Sequence, residues 1–218
     1  MGEHPNPADV DAFLDTTLVG DDPVLSAALA ASDAAGLPQI AVSAQQGKFL
    51  CVLAAAIRAR RILEIGTLGG FSTIWLARGA GADGQVVTLE YEPRHAAVAR
   101  ANFQAAGVSD RVQVVVGAAL QTLPTVTGAP FDLVFIDADK QNNAGYLEWA
   151  VRLSRPGSVI LVDNVIRDGQ ILAGEADEQA RATRRTLEVM GEHPRLDAAA
   201  LQTVGVKGWD GFAIAVVR

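Results

Sequence analysis

The stretch RILEIGTLGGFSTIWLAR, residues 61–78, decides the fold. Five residues of strand character, RILEI, run into the glycine-rich turn Gly66-Thr67-Leu68-Gly69-Gly70 and then into helical spacing from about Phe71 to Arg78. Outward from it the same alternation repeats. QVVTLE (85–90) predicts a second strand, and PRHAAVARANFQAAG a helix with Pro93 near its start and Gly107 beyond its end. RVQVVV (111–116) predicts a third strand with a helix near 118–123, and FDLVFID (131–137) a fourth, followed by the amphipathic NAGYLEWAVRLS. SVILVD (158–163) predicts the fifth. Near-continuous apolar strands alternating with helices imply a parallel sheet covered on both faces. After a helix across 176–191, RLDAAALQTV and GFAIAVVR are separated only by GVKGWD. So short a link requires an antiparallel hairpin. The expectation is one α/β domain over 1–218, with a helical N-terminal cap (1–60) and a core (61–218) built on an open, mostly parallel sheet.

Composition narrows the function classes. The chain has 218 residues, 50% of them hydrophobic, enough for one sizeable core. Its net charge of −7 is unevenly placed. Seven acids (Glu3, Asp9, Asp11, Asp15, Asp21, Asp22, Asp33) precede the first base, Lys48, and the remainder is formally neutral. An acidic chain without clustered Lys or Arg argues against nucleic-acid binding. The single cysteine, Cys51, lies in the apolar run FLCVLAAAI and reads as a small buried hydrophobe, with no disulfide framework. No signal peptide or membrane span is read, so a cytoplasmic location is expected.

In such sheets ligands sit outside the carboxyl ends of the strands, which selects 64–72, 90–92, 117–119, 137–140 and 163–168. The glycine loop lets backbone approach a ligand, and Glu90, 20 residues after Gly70, stands where an acid hydrogen-bonds ribose hydroxyls. The loop lacks the G-x-G-x-x-G spacing suited to a pyrophosphate. Glu64 adds a carboxylate that repels pyrophosphate but suits the ammonium and sulfonium of S-adenosylmethionine; the alternative is a carboxylate that only caps neighbouring backbone donors.

Asp137 and Asp163 end the fourth and fifth strands, and Asn164 follows directly. On neighbouring strands, about 4.8 Å apart, the two carboxylates converge and repel unless a cation lies between them. Two Asp oxygens and an amide oxygen suit a hard divalent ion such as Mg²⁺. His4, His95 and His193 fall away from this rim, which argues against zinc. The alternative is that one Asp caps a helix while the other binds backbone amides. Lys140, three residues past Asp137, is a candidate general base if held near a cation, and otherwise a solvated lysine. Asp139 is placed to orient Lys140 or touch the cofactor.

Taken together, PQIAVSAQQGKFLCVL, RILEIGTLGGFSTIWLA, VVTLEYEPRHAAVARANF, FDLVFIDADK, GSVILVDNVIRDGQIL and KGWDGFAIAVV resemble the cation-dependent class I O-methyltransferases, which include the catechol and caffeoyl-CoA enzymes. The resemblance covers roughly 38–218. It implies a Rossmann-like sandwich of seven strands with an antiparallel C-terminal strand. It further implies Glu90 at the ribose, Val42 (through its backbone), Glu64, Gly66, Thr67 and Ser72 around the methionine moiety, and Ala119 beside adenine. Asp137, Asp163 and Asn164 match the metal ligands, for Mg²⁺ or else Mn²⁺ or Ca²⁺, and Lys140 matches the base. Asp168 stands where plant acyl-CoA members often carry a substrate-contacting Asn, which leaves the acceptor open.

The implied chemistry is in-line methyl transfer to an oxygen of a small catechol-like or vicinal-diol acceptor. The cation makes one hydroxyl more acidic and Lys140 takes its proton. Hydroxycinnamoyl-CoA esters and tRNA hydroxyuridine are the alternative acceptors. Both bring phosphates, and no base precedes Lys48 to meet them. A nucleotide-binding regulatory module without turnover is the alternative of another class, and an NAD-dependent dehydrogenase a weaker third. The family resemblance further implies a homodimer, for which Phe13, Leu14 and Leu18 supply apolar positions. Gly169 and Gly174 mark 166–179 as a loop that either moves on binding or simply turns.

Overall fold

The computed structural model describes residues 6–128, 130–173 and 177–218. His4, Gly174 and the expected helix start at Ala176 lie outside the described residues. Five strands run parallel: β1 (Arg61–Ile65), β2 (Gln85–Glu90), β3 (Val112–Val116), β4 (Phe131–Ile136) and β5 (Ser154–Asp163). They are joined by β6 (Leu196–Gly205) and β7 (Gly208–Val217) in the order β3-β2-β1-β4-β5-β7-β6. β7 is antiparallel to both of its neighbours, as the short final link required. That link is tighter than the sequence suggests, because Gly205 already pairs with Gly208 and only Val206 and Lys207 turn. β5 begins four residues before the expected Ser158, and β4 closes at Ile136, one residue before Asp137.

The strand residues alternate between two cores. Ile62, Leu133, Phe135, Val159 and Leu161 face helices α2 (Pro23–Ala34), α3 (Ala44–Ala56), α4 (Phe71–Gly79) and α5 (Pro93–Ala105), meeting Leu25, Leu50, Trp75 and Phe103. Leu63, Val134, Ile136, Ile160 and Val162 face the other way, toward α7 (Asn143–Arg152) and α8 (Glu178–Glu192). This period of two, apolar on both faces, is the signature of a doubly covered sheet. A short α6 (Ala119–Thr122) follows β3. Cys51 is half-buried against the first core rather than enclosed in it.

The N-terminal segment is built from helices, with one irregularity. Helix α1 (Pro7–Leu14) is capped by Asn6 and continues into a π-helical turn, Asp15–Val19. There the Thr16 and Thr17 hydroxyls donate to the Ala12 and Phe13 carbonyls at 2.9 and 2.7 Å. Such back-bonding competes with the helical ladder and loosens it. Asp11 accepts from the Val206 amide at 2.7 Å, and Lys207 Nζ reaches the Gln39 carbonyl at 3.4 Å. The cap is thus tied to the β6–β7 turn, and the hairpin brings a base to residues 1–47, which hold no Lys or Arg. No described helix is long and apolar enough to cross a membrane.

Candidate active site

The strand order reverses between β1 and β4, and the expected residues gather at the carboxyl rim around that point. Two positive-φ glycines shape the first loop. Gly66 (φ +102°) has no room for a β-carbon, which would run into the Asp137 carbonyl, and one on Gly70 (φ +84°) would enter the Phe103 ring. Leu68 is also left-handed (φ +52°), a strained state for a branched side chain. Glu90 compensates it. Its Oε2 accepts from the Thr67 and Leu68 amides at 3.1 and 2.8 Å, and its Oε1 from the Glu92 amide at 2.9 Å. His95 Nδ1 stands 3.4 Å from the same Oε1. In the sequence His95 bears only on the exclusion of zinc, although its place on the first turn after β2 signals this neighbour.

Glu64 is fully buried behind the loop. Ser72 donates to it at 2.6 Å, Thr88 at 2.7 Å, and Thr73 also donates. Burial pushes its carboxyl from 4.5 up to about 7; the three hydroxyls pull back, and the charge of Asp137 adds to the rise. Glu64 therefore anchors the first turn of α4 through hydroxyls, not through the backbone donors considered as the alternative. Val42 lies half-buried just before α3, and Ser43 caps that helix by accepting from the Gln46 amide at 3.2 Å. Ala119 opens α6 at the same rim, where the Gly117 amide donates to the Glu90 carbonyl at 2.8 Å.

The second half of the rim lies on β4 and β5, which pair directly. Asp163 is buried, and burial together with the charge of Asp137 raises its carboxyl from 3.8 to about 7. Its Oδ2 accepts from Gln46 Nε2 at 2.6 Å, and its Oδ1 from the Asn164 amide at 2.9 Å. Gln46, on the first turn of α3, was not singled out from sequence; nothing in its neighbourhood signals a partner 117 residues away. Lys140 is buried, and its Nζ lies 3.2 Å from Asp137 Oδ1. Asp139 does not orient Lys140. It accepts from Tyr146 Oη and Asn142 Nδ2, both at 2.6 Å, because the start of α7 folds back over it.

Two carboxylates at the ends of adjacent strands, with Asn164 directly after the second, supply oxygen donors that suit a hard divalent cation. Among the described residues no group of three or more His, Cys, Asp and Glu competes with them. His95 faces Glu90, with β1 between its strand and β4, and His193 accepts from the Arg195 amide before β6 begins. Asp168 is exposed, left-handed (φ +54°), and tied by its amide to the Trp209 carbonyl at 2.8 Å.

A family model described as O-methyltransferase matches residues 18–213. The chain belongs to the O-methyltransferase family. A catechol O-methyltransferase of Mycobacterium tuberculosis is 74% identical to this O-methyltransferase over 218 residues, covering all of this chain and 99% of that one. Another of that name, from Niastella koreensis, is 46% identical over 96% of each chain. A crystal structure of an O-methyltransferase from Bacillus cereus in complex with SAH superposes with a TM-score of 0.94 at 49% identity, over 97% of this chain and 98% of that one. The family named from the sequence blocks and the seven-stranded sandwich both stand.

Proposed function

We propose that this O-methyltransferase moves a methyl group from S-adenosylmethionine to one oxygen of a catechol-like or vicinal-diol acceptor, with a divalent cation at Asp137, Asp163 and Asn164. The observation that carries the reading is the repelling pair Asp137–Asp163 next to a loop preorganised by Glu90. When bound, the cofactor supplies the methyl group and the cation, Mg²⁺ or a similar hard ion, supplies Lewis-acid stabilisation of the acceptor's anion. The Gly66–Gly70 loop, Thr67 and Ser72 hold the methionine end, Glu90 the ribose hydroxyls, Ala119 the adenine side and Val42 the methionine through its backbone. Asp137, Asp163 and Asn164 direct oxygens at the cation. Lys140 takes the acceptor's proton at Nζ, 3.2 Å from Asp137. Asp168, exposed on the loop after β5, contacts the acceptor. Positioning the two reactants in line is the main service of such a site.

The product SAH in the Bacillus cereus structure and the names of the two relatives support the cofactor and the acceptor class. One observation favours a second acceptor. Lys207 borders the cap at Gln39, giving a phosphate-bearing hydroxycinnamoyl-CoA ester a base that residues 1–47 lack. A homodimer is proposed from exposed Phe13 and Leu18 on the cap, with Leu14 less exposed beside them, and from Leu201 and Val204 on the edge strand β6. A cytoplasmic setting is part of the same reading. The test is transfer of labelled methyl to diphenols, hydroxycinnamoyl-CoA esters and hydroxyuridine tRNA, with Mg²⁺ and with excess EDTA. Mg²⁺-dependent labelling of diphenols is expected. Full activity in EDTA would remove the cation from the mechanism.

A further inference from the structure

Residues 164–168 leave β5 in an unusual conformation: Asn164, Arg167 and Asp168 all have φ between +53° and +57°. Three non-glycine residues in the left-handed region need outside support. The support comes from 209–211, at the start of β7. The Val165 amide donates to the Gly211 carbonyl at 3.0 Å and the Asp168 amide to the Trp209 carbonyl at 2.8 Å. Between them stands Asp210, whose Oδ1 accepts from the Ile166, Arg167 and Gly211 amides at 3.2, 3.0 and 2.9 Å. Its Oδ2 accepts from Asn164 Nδ2 at 3.1 Å.

That last bond bears on the chemistry. An asparagine side chain has a donor end and an acceptor end of nearly equal size, and only the oxygen can meet a cation. An ionised carboxylate accepts but cannot donate, so beside Asp210 the reverse orientation would set oxygen against oxygen. Asn164 Oδ1, turned away from Asp210, takes no hydrogen bond from the described residues. We propose that Asp210 is a positioning residue for the cation site, holding the Asn164 amide with its oxygen presented beside Asp163. The proposal rests on the cation reading above. It differs from a loop-scaffold role, which needs only the three backbone bonds to Oδ1.

The charge-swapped pair separates these roles. In D210N the three backbone amides keep the oxygen of the new amide, so its nitrogen faces Asn164 and selects the reverse orientation, with the Asn164 nitrogen toward the cation. In D210N/N164D an amide at 210 donates to a carboxylate at 164, and an oxygen faces the cation whichever way either group turns. Mn²⁺ is titrated into each protein without methyl donor or acceptor and followed by electron paramagnetic resonance, with circular dichroism melts in parallel. D210N is expected to bind Mn²⁺ about 10-fold more weakly than the wild type, the usual size for loss of a ligand's hydrogen-bond partner. The swap is expected to restore the affinity, even if D210N alone folds poorly. Wild-type affinity in D210N, or a folded swap as weak as D210N, overturns the proposal. Failure of the wild type to bind Mn²⁺ overturns the cation reading, and this proposal with it.

Discussion

The two halves of the rim treat their carboxylates in opposite ways. On β1 and β2 the chain satisfies its own acids: Glu64 has three hydroxyl donors, and Glu90 has three backbone amides with His95 alongside. On β4 and β5 it leaves a deficit. Asp137 and Asp163 repel each other, with Lys140 against the first and Gln46 and one backbone amide against the second. A satisfied acid builds a rigid loop, because each hydrogen bond fixes backbone in place. An under-satisfied pair keeps its repulsion, which the proposed cation would relieve. One half is held rigid by its own hydrogen bonds, and the other would be completed by the cation.

Three substitutions break or sharpen that contrast. The largest effect is expected from Asp163→Ala. It removes the deficit and the ligand together, so methyl transfer falls by about 10³-fold or more, the scale of several kcal/mol of Lewis-acid stabilisation. Calorimetry should still find S-adenosylmethionine binding within a few-fold of wild type. Equal loss of both would mean that the halves are one unit. Next, Lys140→Met should lower kcat by about 10²-fold, the low end for a positioned proton acceptor. It should do so with little change in acceptor KM. A change confined to KM would make Lys140 a mere counter-charge for Asp137.

The third substitution tests the satisfied half, through stability rather than activity. The Glu64 carboxyl is raised from 4.5 to about 7, so between those values the folded protein holds a proton that the unfolded chain has lost. Stability from this group is thus full below about 4.5, falls as pH rises to about 7, and is level above. Glu64→Gln, which cannot ionise, should therefore match wild type near pH 4.5 and gain on it by roughly 2–4 kcal/mol by pH 8. Urea midpoints of the two proteins across that range give the comparison. A constant difference at all pH values would mean that the three hydroxyls hold Glu64 charged throughout.

What the sequence disclosed about the site follows the reach of each interaction. RILEIGTLGG and FDLVFID carried their own evidence, since strand, turn and acid lie within one short segment. Adjacency of Asp137 and Asp163 needed only that the fourth and fifth strands be neighbours, which they are. Gln46 and Asp210 stayed hidden because their partners lie 117 and 46 residues away and no period or motif links them. Asp139 misled for a different reason: its acidity beside Lys140 suggested a pair, whereas Tyr146, one helical turn into α7, claims it at 2.6 Å. Residues 1–47 hold no Lys or Arg, yet Lys207 arrives at their border from the far hairpin.

The missing β-carbon of Gly66 has a consequence for how this enzyme can change over generations. That glycine lies against the carbonyl of Asp137, and the Asp137 amide donates to the Ile65 carbonyl at 2.9 Å. Any side chain at 66 would displace a residue of the donor loop and a residue of the acceptor side in one stroke. Selection for a new acceptor therefore has almost no freedom at this contact. It is left with the outer borders: the cap near Gln39, the turn at Val206 and Lys207, and the loop around Asp168. Relatives that share the 61–70 and 131–140 segments can be expected to part company at those three places, and libraries aimed at new acceptors should begin there.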